Sequence, residues 1–165
     1  MPFRNTALLG LGLAALALAG CGHDDKRAAI RLSEEPAFGL FFNDNGETAS
    51  LAYGEANSDN VALLLECAKG SGRVQVSDLA RTEASPRLVL ASGRKASELA
   101  ARVEATDGGP AILVADAPLA ADSLQGFRKT GRLTVGQGSD RYGVSAKGPE
   151  REDIDLFFTA CGADA

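Results

Sequence analysis

The chain has 165 residues, a formal net charge of −5, no tryptophan and only 5% aromatic residues. That balance offers no basic footprint for nucleic acid, and so few flat rings weigh against stacking on bases or sugars as a main activity. The length suits one domain with its own core, and no internal repeat, low-complexity tract or run of like charge divides it.

The opening MPFRNT carries one cation, Arg4, and no acid. The apolar stretch from Ala7 to Ala19 is too short to span a bilayer, which takes about 20 apolar residues, but it fits the apolar core of a secretory signal. Leu18-Ala19-Gly20-Cys21 then resembles the bacterial lipobox. The resemblance implies cleavage before Cys21, a diacylglycerol thioether on its sulfur, and N-acylation. Several acyl chains would hold the mature protein at a membrane, since a single chain binds only marginally. Gly22 stands where an Asp would resemble an inner-membrane retention signal. The resemblance therefore implies an outer-membrane lipoprotein facing the periplasm, rather than an inner-membrane one. On this reading residues 1–20 are signal peptide, residues 21–36 a lipidated tether and residues 37–165 one β-rich domain. Cleavage removes a single charge, Arg4, so the net charge becomes −6.

The tether, Gly22 to Pro36, is polar and lacks periodicity, although Ala28-Ala29-Ile30 at its centre has the character of an edge strand. From Ala37 the pattern turns to period two. Phe38, Leu40 and Phe42 share one face, Asp44-Asn45-Gly46 signals a hairpin, and Thr48 to Tyr53 is the return strand. Val61 to Cys67 is the most apolar strand, and Lys69-Gly70-Ser71-Gly72 turns it into Arg73 to Ser77. Arg87 to Ala91 follows. The segment SELAARVEA, from Ser97, reads as a helix pairing Leu99 with Val103, or as a strand with Leu99, Ala101 and Val103 on one face. Nine residues of unbroken alternation favour the strand.

Asp107 to Pro110 turns into a strand from Ala111 to Ala115. DSLQGFRKTG reads as a short helix with Asp122 as N-cap and Gly131 as left-handed terminator. RLTV and RYGVS are two more strands. The chain closes on a helix that starts at Pro149 and is acidic in its first turn at Glu150, Glu152 and Asp153. Ile154, Phe157, Phe158 and Cys161 form its apolar face, and Gly162 is its stop.

With Cys21 lipidated, Cys67 and Cys161 remain. An even pair in an oxidising compartment reads as a disulfide, against the alternative of two buried free thiols. Each cysteine shares a face with the residues expected to be buried, so a bridge would fasten the terminal helix to the sheet. Chain entropy gives such a long loop about 4–5 kcal/mol as an upper figure. The expected architecture is mainly β: an antiparallel β-sandwich or half-open barrel of about nine short strands, one short internal helix and a C-terminal helix. A strand ending in Cys (ALLLEC), short strands after it, and a terminal stretch ending in Cys (IDLFFTAC) resemble small exported β-sandwich proteins of the TagO-like and IalB-like kinds. The resemblance runs from about Val61 to Cys161 and implies the same fold and bridge.

Motifs for chemistry are sparse. His23 is the only histidine and lies in the tether, which argues against Ser-His-Asp or Cys-His catalysis in the domain. Two bridged cysteines and no further histidine argue against zinc. GQGSDR, from Gly136, and GSG, from Gly70, lack the rest of a nucleotide-binding fingerprint and read as turns. Glu66 alternates away from Cys67 and reads as a solvated acid, while Asp59 and Asp107 read as turn residues. No cofactor is expected. The loop Ala91-Ser92-Gly93-Arg94-Lys95 resembles the Ser-Gly loop of membrane-bound lysozyme inhibitors, although the tyrosine expected after it is absent. That resemblance implies Ser92, Arg94 and Lys95 as contacts to an acidic cleft.

The sequence therefore leads to the expectation of a non-enzymatic, periplasm-facing lipoprotein. It would be anchored through Cys21 and would bind or support an envelope protein without nucleic acid. Two readings stand beside it, an inhibitor of a lysozyme-like peptidoglycan-cleaving enzyme and an enzyme that uses carboxylates alone.

Overall fold

A computed structural model of the chain describes residues 38–81 and 86–162. Cys21, His23 and the tether with its Ala28–Ile30 pattern lie outside the described residues. The alternating segments become strands β1 (Phe38–Asp44), β2 (Thr48–Glu55), β3 (Val61–Ala68), β4 (Arg73–Leu79), β5 (Arg87–Ser92), β6 (Lys95–Glu104) and β7 (Ile112–Pro118). Helix α1 (Asp122–Thr130), strands β8 (Arg132–Gln137) and β9 (Asp140–Ser145) and helix α2 (Glu150–Cys161) complete the domain.

All nine strands join one antiparallel sheet in the order β1-β2-β3-β4-β7-β6-β5-β8-β9, curled into a half-barrel. Of the two architectures the sequence allows, the half-open barrel is the one formed. Strand β6 is its corner. Lys95 to Ala100 pair with β5, and Ala101 to Glu104 pair with β7. The alternation over SELAARVEA thus resolves to strand, but its apolar face is not buried throughout. Leu99 is buried, whereas Val103 is 56% exposed, because the strand reaches the rim after it changes partner.

The inner face collects every second residue: Leu51 on β2, Leu63 and Leu65 on β3, Val74 and Val76 on β4, Leu88 and Leu90 on β5, Leu133 and Val135 on β8. Both helices pack on this face and share one core with it. Helix α1 lies on β5, β6 and β8 through Leu124 and Phe127. Helix α2 lies on β1 and β2 through Ile154, Phe157 and Phe158. Each fully buried Leu or Phe side chain contributes about 1.5–3 kcal/mol.

The helix ends are tied down residue by residue. Ala121, not Asp122, is the α1 N-cap, and no side chain caps it; Asp122 begins the first turn and serves as a favourable charge there. At the other end Gly131 adopts φ +68° and its N–H donates to Phe127 O. The Arg151 guanidinium donates to Arg128 O and Lys129 O, both at 3.0 Å, and so satisfies carbonyls that the helix leaves unpaired. The α2 C-terminus is served by the β3–β4 turn, where Gly70 N–H donates to Ala160 O and Gly72 N–H to Cys161 O, each at 2.9 Å. Gly162 ends α2 in extended rather than left-handed conformation. At this same corner Cys67 and Cys161 form a disulfide with their Cα atoms 5.7 Å apart.

Candidate functional site

Two places combine polar side chains with defined geometry. The first lies inside the barrel mouth. Alternation along β4 carries the Val74–Val76 face one step further, to Asp78, which is 1% exposed. The same step takes Leu133 and Val135 to Gln137 on β8, and Val144 back to Tyr142 on β9. The Tyr142 hydroxyl donates to Asp78 Oδ1 at 2.7 Å. The Gln137 amide donates to Asp78 Oδ2 at 2.5 Å and to Leu79 O at 2.6 Å, and its Oε1 accepts the Arg81 N–H at 2.9 Å. The Arg81 guanidinium lies 4.3 Å from the Tyr142 ring centre and 3.6 Å from Asp78 Oδ1.

Burial raises the Asp78 carboxyl above its ordinary value, against the hydrogen bonds from Tyr142 and Gln137 and the charge of Arg81, which lower it. Tyr142 is pushed well above the ordinary phenol range, first by burial and then by the Asp78 charge. Both carboxylate oxygens are engaged, so the cluster acts as an internal clasp between distant strands. The sequence pattern leaves Asp78 and Gln137 outside the expected strands although the period-two signal is present, because it ends β4 at Ser77 and β8 at Val135; Tyr142 lies within the expected RYGVS strand without being singled out.

The second place is the outer face of β5, β8 and β9, next to the β5–β6 turn. Ser92 and Lys95 pair across this turn, with Gly93 at φ +60° as its first central residue. The three proposed contacts part company here. Ser92 is buried, and its hydroxyl donates to Thr130 Oγ1 at 3.0 Å, since Thr130 itself donates to Gly126 O. Lys95 Nζ donates to Asp122 Oδ2 at 3.0 Å. Arg94 is exposed at the tip. Ser92 therefore docks α1 onto β5 and is not presented with the two cations.

Beside the turn a groove of about 490 Å³ crosses the three strands. Ala91, Thr134 and Gly143 form one rung of its floor, with Gly93, Arg132 and Ser145 at the next. Arg141 lies flat across Gly136, where a β-carbon would collide with its guanidinium. Arg94, Arg132 and Arg141 have no acidic partner among the described residues, whereas Arg87 pairs with Glu98. Glu66 sits on the outer face of β3 opposite Gln75. Among the described residues no group of three or more His, Cys, Asp or Glu side chains is gathered to hold a metal ion. No protein-family model, curated protein or solved structure matches the chain.

Proposed function

We propose that this chain is a non-catalytic, lipid-anchored binding module of the bacterial envelope, held at the periplasmic face of the outer membrane by Cys21. The observation that carries this reading is the Cys67–Cys161 disulfide. A bridge of this kind suits an oxidising compartment. It also uses two of the three cysteines and leaves Cys21, in its lipobox-like setting, for lipid. Residues 22–37 separate Cys21 from β1, a reach of up to roughly 50 Å if extended, enough to stand the domain off a membrane surface. The buried acid Asp78 supports a structural rather than catalytic use, since both its oxygens accept hydrogen bonds within the fold.

The test is membrane partition. The native chain is expected in the outer-membrane fraction, and Cys21→Ala in the soluble fraction or retained as an unprocessed precursor. Equal partition of native and Cys21→Ala protein would overturn the anchor.

A second reading, inhibition of a lysozyme-like peptidoglycan-cleaving enzyme, draws on Arg94, exposed at the tip of a tight turn. It expects Arg94→Ala with Lys95→Ala to abolish inhibition at unchanged melting temperature. Undiminished inhibition by that double variant would remove the turn as the contact.

A further inference from the structure

We propose that the open edge of β9, together with the arginine-bearing outer face of β5, β8 and β9, is a docking surface for an extended acidic segment of a protein partner. The backbone supplies the first argument. The Ala146 N–H donates to Gly131 O at 2.8 Å. This fixes the phase of the β8–β9 ladder, so Val144 and Tyr142 bond to Leu133 and Val135. Arg141, Gly143 and Ser145 consequently turn their N–H and C=O groups away from β8. β9 is the last strand of the sheet, and no backbone partner takes these groups among the described residues. An edge of this kind accepts an added strand.

Charge supplies the second argument. On a protein of net charge −5, this one face carries Arg132 and Arg141, with Arg94 on the turn beside it, all without acidic partners among the described residues. All three are arginines, whose planar fork matches a carboxylate in two-point fashion. Arg132 and Arg141 stand at rungs four residues apart, about 13 Å along the strands, so a matching segment would carry acids at i and i+4.

Room supplies the third. A β-carbon on Gly143 would meet nothing within 4 Å, and the Ala91–Thr134–Gly143 rung of the groove floor is built from small and hydroxyl-bearing residues. Its lining has no aromatic ring, which favours a peptide over a stacked sugar. The inference deepens the binding-module reading and rests on it only for the compartment where the partner is met.

The test uses the full chain in detergent and a fluorescein-labelled peptide of about ten alternating Thr and Glu residues, read by anisotropy. The native chain is expected to bind it and to lose affinity as salt rises. Arg132→Glu with Arg141→Glu should weaken binding by about tenfold or more. Gly143→Pro should do the same, because it removes an outward N–H and no ladder bond, and edge positions tolerate proline. Melting temperature reports whether each variant folds. No binding, or equal binding by the native chain and a folded variant, overturns the proposal. So does binding to phosphatidylglycerol vesicles without binding to the peptide, which would make the face a membrane contact. None of these outcomes depends on Cys21, so a failure here leaves the anchor reading standing.

Discussion

The Tyr142 hydroxyl on β9 donates to the Asp78 carboxylate on β4 at 2.7 Å, although β7, β6, β5 and β8 lie between these strands in the sheet. The bond can form only because the sheet curls, and it spans the interior of the half-barrel. Removing one partner leaves the other buried without its mate. Tyr142→Phe should cost about 1–3 kcal/mol. Asp78→Ala should cost more, about 3–5 kcal/mol, because Gln137 and Arg81 lose their acceptor as well. Urea denaturation of both single variants and the double variant measures the coupling, expected at about 0.5–3 kcal/mol. Strict additivity would mean that the bond does not hold the barrel closed.

The same carboxyl sets a pH dependence. Burial raises Asp78 above its ordinary value of 3.8 in the folded state. Its contribution to stability is therefore fully present below that ordinary value and is lost as pH rises through the folded value. Asp44, lowered by its hydrogen bond from Lys69, works in the opposite direction, and Asp153, raised chiefly by burial, works in the same one. Comparing native protein with Asp78→Asn cancels both. The native protein should gain stability relative to the variant as pH falls from neutral, levelling off below the ordinary carboxylate range. A constant difference across that window would contradict the upward shift that burial gives the Asp78 carboxyl.

The Cys67–Cys161 bridge joins residues 94 apart in sequence and fastens the end of α2 to β3. Cys67→Ser should lower stability by up to about 4–5 kcal/mol and leave Cys161 reactive once α2 loosens. Thiol alkylation of the native, unreduced protein followed by mass measurement is the check. Modification of both cysteines before reduction would show that no bridge exists.

Gly131 is held twice over. Its φ of +68° disfavours a side chain, and a β-carbon there would collide with the Arg151 guanidinium that caps α1. Gly131→Ala should cost about 1–3 kcal/mol and separate Arg151 from the helix end. A thermal unfolding curve unchanged from that of the native protein would remove Arg151 as a structural cap.

The sheet was legible in the sequence because one inner face is apolar and alternation runs unbroken along β4 and β5. The α2 core face was legible because Ile154, Phe157, Phe158 and Cys161 fall at helical spacing. Four things were not. Val103 follows the alternation of Leu99 yet lies at the rim, since periodicity cannot tell where a strand changes partner. Asp122 looks like an N-cap, but Ala121 takes that position and the Asp122 carboxylate instead receives Lys95. Ser92 looks like a loop residue beside two cations, but the two-residue turn leaves it on the inward face of β5. The Asp78–Gln137–Tyr142 clasp needed both an extra step of alternation and the knowledge that β4 meets β8 and β9 across the barrel, which no local pattern carries.

Intact mass spectrometry of the protein extracted from its native membranes tests the anchored-module reading most directly. The expected mass is that of a chain beginning at Cys21, increased by a diacylglyceryl group and an N-linked acyl chain. A chain beginning at Met1, or one beginning at an unmodified Cys21, would contradict it.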